Sequence, residues 1–223
     1  FIRKAAAEEK PFFAVIWFHA PHLPVVAGPK HAAMYADYDK HSQHYFGCIT
    51  ALDEQVGRLW NELQELGVRE NTLITFCSDN GPEGNSKAPG SAGGLRGRKR
   101  SLYEGGVRVP GVITWPAKIA AGSETTLPVC TSDYLPTLVE LVGAKKLDDR
   151  PIDGISLLPL FAGEMKARPR PLGFQSSGVA TWVDNRWKLV RPNGKKAKYE
   201  LYDLLADRAE SNDVATEHPE IVQ

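Results

Sequence analysis

Two apolar runs in this chain end in small groups of polar residues. Residues 72–81 read TLITFCSDNG, so a run suited to a buried strand stops at Ser78-Asp79-Asn80-Gly81. Residues 12–24 read FFAVIWFHAPHLP and stop at His19 and His22 among prolines. Asp79 and Asn80 offer oxygen ligands only, which suits a hard cation such as calcium, or magnesium, better than zinc. An amide ligand lends an oxygen without adding negative charge, which helps if the substrate is an anion. His22 could donate to an anionic oxygen or a leaving group; His19 has the weaker claim. A third group, Arg96-Gly97-Arg98-Lys99-Arg100, follows a Gly-rich stretch. A lysine on a fixed loop can neutralise a tetrahedral oxyanion as a point charge. Metal, histidine and lysine together describe a site for a sulfate or phosphate ester. Each group also has a plainer reading: a turn at Asp-Asn-Gly, a structural histidine, and a solvated basic loop or weak nucleic-acid patch.

These residues need a scaffold. The run 12–18, FFAVIWF, is predicted as a strand buried on both faces, as parallel sheets require. From about Tyr45 to Leu66 the apolar positions recur at three-and-four spacing and define one helix face, which Gly67 is placed to end. Thr72 to Cys77 is predicted as a second buried strand. Strand, helix, strand is a βαβ unit with parallel strands. Ligands of such sheets gather beyond the carboxyl ends of the strands, where both polar groups fall. Residues 81–101 are predicted to form a long loop, and Val107–Trp115 a strand bent or edged by Pro110. Thr131 or Ser132 can cap a helix DYLPTLVELV that Gly143 closes. After the connector KARPRPL, the stretches GVATWVDNRWKLVRP and KKAKYELYDL read as short antiparallel strands with turns at Asp184-Asn185 and Asn193-Gly194. The division expected is an α/β part over 1–165 and a small antiparallel subdomain over 166–223.

Composition narrows the functions. Lys plus Arg and Asp plus Glu number 27 each among 223 residues, so no overall field draws the chain to nucleic acid or membrane. No apolar stretch approaches the length of a membrane span. The opening FIRKAAAEEK lacks the apolar core of a secretory signal and reads as the last turns of an amphipathic helix. Cys48, Cys77 and Cys130 are too scattered for a disulfide framework or a zinc site, and Cys48 and Cys77 read as buried structural thiols.

Taken in order, PFFAVIWFHAPHLP, YFGCITALDEQVGRLWNEL, LITFCSDNGPEG, LRGRKRSLYEGGVRVPGVITWP, SDYLPTLVELVG, DGISLLPLF and YELYDLLADRAESND resemble the second half of a type I sulfatase. The likeness to this branch of the alkaline-phosphatase-like superfamily runs through essentially the whole chain. It implies a mainly parallel α/β sheet flanked by helices, incomplete here, with a small C-terminal antiparallel sheet. It implies that Asp79 and Asn80 are calcium ligands, that His22 contacts the sulfate ester, and that Lys99 binds its oxygens. Glu104 and Arg108 fall in the EGG-x-R-V-P stretch and are expected to pair and support the lysine loop. Related phosphatases and phosphonate hydrolases typically carry Asp-His where this chain has Asp79-Asn80.

Two departures stand out. Arg98 and Arg100 flank Lys99, where the family usually has glycines. The family's nucleophile, a formylglycine made in a C/S-x-P-x-R motif, and its Asp-Asp pair of further calcium ligands have no counterpart here. None of Cys48, Cys77 and Cys130 lies in such a motif. The chain is therefore expected to be a C-terminal portion, inactive alone, whose partners are the N-terminal half of the same protein and a sulfate ester, either an aryl sulfate or a sulfated glycan. Family habit points to periplasm, lysosome or secretion. The alternatives are a non-catalytic protein holding sulfated glycans through Arg96, Arg98 and Lys99, and a phosphoesterase relative.

Overall fold

The computed structural model describes residues 1–85, 87–145 and 148–223. The chain forms two compact units: one gathers Phe1–Ile74, Lys87–Gly90 and Ile113–Ala117, and the other holds the remaining described residues.

The first unit is built on helices. Ile2–Ala7 (α1) and Pro29–Ala33 (α2) are short, and Lys40–Glu65 (α3) is the long one. α3 begins earlier than its apolar periodicity suggests, because the Asp39 carboxylate accepts from the backbone N–H of His41 and Ser42 and caps it. At the other end Gly67 takes a positive φ of 70°, and Val68 N–H reaches back to the Leu63 carbonyl. This closure leaves few orphan carbonyls. α2 and α3 approach closely at Gly47, where a Cβ would lie 3.1 Å from the His31 carbonyl oxygen and 2.7 Å from Ala27 Cβ just before α2.

The run 12–18 forms no strand here. Phe13 is 66% exposed and Trp17 is 91% exposed. The apolar pattern that predicts a buried strand is real, but a strand also needs neighbours for its backbone groups. Among the described residues none pairs with it. The βαβ unit is thus represented by its helix α3 and its second strand, Ile74–Cys77 (β1).

A helical turn, Glu104–Val107 (α4), precedes the strand Gly111–Thr114 (β2), and β1 and β2 pair in a two-stranded sheet. The strand predicted from Val107 therefore starts four residues later. In the second unit Tyr134–Leu141 (α5) is entered through a tight turn at Thr131–Asp133, and Leu158–Phe161 (α6) is a single turn. The residue that organises this entrance is Asp133 rather than Thr131 or Ser132. Its carboxylate, wholly buried, accepts from the N–H groups of Cys130 and Ile155 and takes a bidentate pair from Arg168 at 2.8 Å.

The C-terminal sheet is antiparallel, in the order Leu172–Ser176 (β3), Val179–Asp184 (β4), Trp187–Arg191 (β5) and Glu200–Asp203 (β6). The turns fall where predicted, at Asn185 and at Gly194, both with positive φ. β3 is the strand the sequence pattern did not reveal. Its face pairs Leu172 with Val183 and Phe174 with Thr181. Leu172, Val183, Val190, Tyr202 and Leu204 form the core, with Tyr103 and Cys130 packed against it. The chain closes on a short helical turn, Pro219–Val222 (α7).

Candidate functional site

The second unit brings two loops together around two glycines of α4. The first loop is Ser78–Gly81, directly after β1. Ser78 Oγ donates to the Asn80 carbonyl at 3.0 Å and tightens the turn. Asn80 Nδ2 donates to the Gly81 carbonyl at 2.9 Å, which leaves Oδ1 uncommitted. The Asp79 carboxylate is exposed and has no protein partner among the described residues. The carboxylate and amide oxygens of Asp79 and Asn80 are thus left available by the local bonding.

The second loop carries Lys99. Its backbone N–H donates to the Pro82 carbonyl at 3.1 Å, so it is anchored to the segment after Gly81. The Lys99 ammonium lies 3.7 Å from a Glu83 carboxylate oxygen. Arg98 donates to the Glu83 carbonyl at 2.9 Å, and Arg100 to the Glu83 carboxylate at 2.6 Å. The two arginines that flank Lys99 both bond the neighbouring loop. The Arg100 hydrogen bond, helped by the N–H of Gly84, holds the Glu83 carboxyl down at about 2.

The third element, α4, sits between those two loops. Gly81 N–H donates to the Gly106 carbonyl at 2.9 Å, and Gly105 N–H donates to the Arg96 carbonyl at 2.7 Å. The packing allows no side chain at these positions. A Cβ on Gly81 would lie 1.9 Å from the Gly105 oxygen, and one on Gly105 would lie 2.2 Å from the Gly97 oxygen. One on Gly106 would lie 2.0 Å from the Ser101 oxygen. Glycine is required here by close backbone approach.

Charged residues of the C-terminal sheet hold α4 from behind. Lys188, fully buried on β5, places its ammonium 2.8 Å from Glu104 and 2.9 Å from Glu210. Glu210 also accepts from the Glu104 backbone N–H at 2.5 Å, and Arg108 pairs with Glu104 at 3.1 Å, the pairing expected from the sequence. Burial pushes the Glu210 carboxyl up, and this outweighs the pull of Lys188. Arg96 is engaged too. It stacks 3.7 Å over the Tyr103 ring and donates to Tyr202 Oη at 2.6 Å. Tyr103 and Tyr202 both donate to Glu200, and burial followed by that bond pushes the Tyr103 phenol up to about 12.

His22 belongs to the first unit. It is exposed, and its Nδ1 donates to the Leu23 carbonyl at 2.8 Å, which leaves Nε2 as the free ring nitrogen. The His19 ring stands 5.5 Å from it. Sequence reasoning missed Glu83, Lys188 and Glu210. Glu83 could have been noticed as a carboxylate three residues after Asn80, whereas Lys188 reads as an ordinary polar position of an exposed strand.

Among the described residues, no group of three His, Cys, Asp or Glu side chains could enclose a metal ion. The oxygens of Asp79 and Asn80 have the right chemistry for a hard cation, but a cation of this kind takes six or more ligands.

Comparison with known proteins gives the family and the fold. Residues 1–144 match the sulfatase family, and residues 97–222 match the C-terminal region of N-sulphoglucosamine sulphohydrolase. A sulfatase of Formosa agariphila is 31% identical across 98% of this chain and 44% of its own length. Human steryl-sulfatase is 40% identical across 70% of this chain and 27% of its own. The crystal structure of Ps i-CgsB superposes with a TM-score of 0.88 at 30% identity, over 99% of this chain and 49% of that one. The chain belongs to the sulfatase family. Its fold is the alkaline-phosphatase-like α/β architecture, incomplete here, with a small antiparallel C-terminal sheet, and it spans less than half the length of these relatives.

Proposed function

We propose that this chain supplies the C-terminal part of a sulfatase active site, in which a sulfate ester is hydrolysed with a calcium ion held in part by Asp79 and Asn80. The observation that carries the reading is the α4 interlock. It ties an uncommitted carboxylate and amide oxygen on one loop to an ammonium on the next, in the segment that resembles the family's sulfate site. When bound, calcium would supply charge that polarises the sulfate oxygens. Lys99 neutralises charge that builds on those oxygens, and Glu83 and the Pro82 carbonyl position Lys99. The role of His22 at the ester oxygen rests on the resemblance alone; within its own unit, Nδ1–H bound to the Leu23 carbonyl fixes its tautomer and leaves Nε2 free. The resemblance puts the formylglycine nucleophile and the remaining calcium ligands in a segment other than these residues, so this chain is not expected to turn over alone. The small sheet is read as a subdomain starting near residue 166.

The test uses the full-length protein that carries this chain. Aryl sulfate should be hydrolysed in preference to aryl phosphate, and Lys99→Ala should cut kcat/KM by roughly 10²–10³, the usual size of losing one oxyanion-stabilising group. Near-normal turnover by the variant would remove Lys99 from the site. Preferred hydrolysis of the phosphate would replace the sulfatase reading with a phosphoesterase.

A further inference from the structure

The cations that sequence reasoning offered to a sulfated polymer are engaged elsewhere. Arg96 lies against Tyr103 and Tyr202, Arg98 bonds the Glu83 carbonyl, and the Lys99 ammonium lies 3.7 Å from the Glu83 carboxylate. A different set stands uncommitted on the hairpin that joins β5 to β6. Arg191, Lys195, Lys196 and Lys198 are all exposed, and none forms an ion pair among the described residues. No Asp or Glu lies between Asp184 and Glu200. The positive charge of this turn is therefore not cancelled locally, although the whole chain is neutral.

The surface beside these cations is shaped and partly aromatic. A groove of about 530 Å³ runs along the turn past Asn193 and Lys195. It meets a second hollow of about 270 Å³ that reaches Gln175 and Trp182, and both are lined by Arg191 and Tyr199. Trp182 is seated on Gly173, where a Cβ would come within 2.9 Å of the indole, yet it remains 53% exposed. Tyr199 is 46% exposed. The turn is held in place, because Asn193 Nδ2 donates to the Ser177 carbonyl of the β3–β4 turn at 3.2 Å.

We propose that this groove is a subsite for a sulfated polysaccharide chain, with Trp182 and Tyr199 against sugar rings and Arg191, Lys195, Lys196 and Lys198 facing sulfate groups. The apolar faces of sugar rings suit exposed aromatic side chains, and guanidinium suits the paired oxygens of a sulfate. Charge complementarity on one turn of a neutral chain favours an occupant held at a few anionic points over nucleic acid, whose binding rests on many phosphate contacts. The choice of sulfate over other anions rests on the sulfatase reading, but the binding itself does not depend on turnover.

The experiment measures binding of dextran sulfate, uncharged dextran and single-stranded DNA to the full-length protein by isothermal calorimetry across a salt series. Dextran sulfate should bind with an affinity that falls as salt rises, uncharged dextran should bind far more weakly, and DNA should compete poorly. Replacing Arg191, Lys195, Lys196 and Lys198 together by Ala should weaken dextran sulfate binding by about tenfold or more and flatten its salt dependence. Trp182→Ala should weaken it several-fold, and replacing the three lysines by Arg should preserve it. Unchanged affinity in the fourfold Ala variant would overturn the subsite, as would DNA binding more tightly than dextran sulfate. If aryl sulfate is never hydrolysed but dextran sulfate binding falls with the fourfold variant, the hydrolysis reading fails and the subsite stands.

Discussion

Replacing Lys188 by Met tests whether the buried charges behind α4 act as one unit. The lysine ammonium is fully buried and lies between Glu104 at 2.8 Å and Glu210 at 2.9 Å. Removing it leaves Glu210 without a cation and Glu104 with Arg108 alone, two carboxyl groups buried together with little water. Breaking a buried pair in this way generally costs about 3–5 kcal/mol. The variant can escape part of that by keeping one carboxyl protonated. Relative to the ordinary carboxyl value of 4.5, holding that proton at pH 7 costs about 3.4 kcal/mol, and at pH 5 about 0.7 kcal/mol. In the variant the folded pKa lies above the unfolded one, so stability is complete below about 4.5 and is lost as pH rises. Glu210 is already raised in the native protein, which gives it some of the same slope, and the difference between the two proteins is the quantity to read. Urea unfolding should show a penalty of about 3 kcal/mol at pH 7 that shrinks to about 1 kcal/mol at pH 5. Adding Glu210→Gln to the Met variant should recover more than half of the loss at pH 7. A penalty that does not change with pH, or no recovery in the double variant, would refute the charge argument and leave only lost packing.

Two further outcomes follow from the loops. Gly105→Ala must push a methyl into the Gly97 carbonyl, so it should destabilise the protein by about 1–3 kcal/mol and raise exchange at the Lys99 and Gly81 amides before the β4–β5 amides; hydrogen exchange reads this directly, and uniform loosening would argue against a local interlock. Arg100→Ala should let the Glu83 carboxyl return from about 2 toward 4.5, because that arginine's hydrogen bond is the largest cause of its shift; side-chain carbon NMR titration measures it, and an unmoved value would show that the bond does not persist in solution.

What the sequence reveals and what it hides follow physical lines. α3 is legible because its 26 residues keep one apolar face and end at a glycine, and the two C-terminal turns are legible because Asn185 and Gly194 sit where positive φ is needed. β3 escaped because LGFQS carries only two large apolar residues, even though its partner β4 follows directly through the turn at Ser177-Gly178. The run FFAVIWF misleads because hydrophobicity reports a preference for burial and cannot say whether a neighbouring strand is there to accept its backbone bonds. At the candidate site, Asp79, Asn80 and Lys99 were legible as chemistry. Lys188 and Glu210 were not, since their meaning depends on a contact spanning 84 residues between Lys188 and Glu104.

The carbonyl-crowded glycines Gly81, Gly105 and Gly106 also constrain how such a site could change over generations. Neither the SDNG loop nor the lysine loop can lengthen or drift without lifting the backbone wedged between them. Variation that adapts the protein to new ligands is therefore steered away from these loops and toward surfaces free of the wedge, such as the β5–β6 hairpin. Anyone transplanting this half-site into another scaffold would have to move residues 78–83 and 96–108 together, as a single inherited piece.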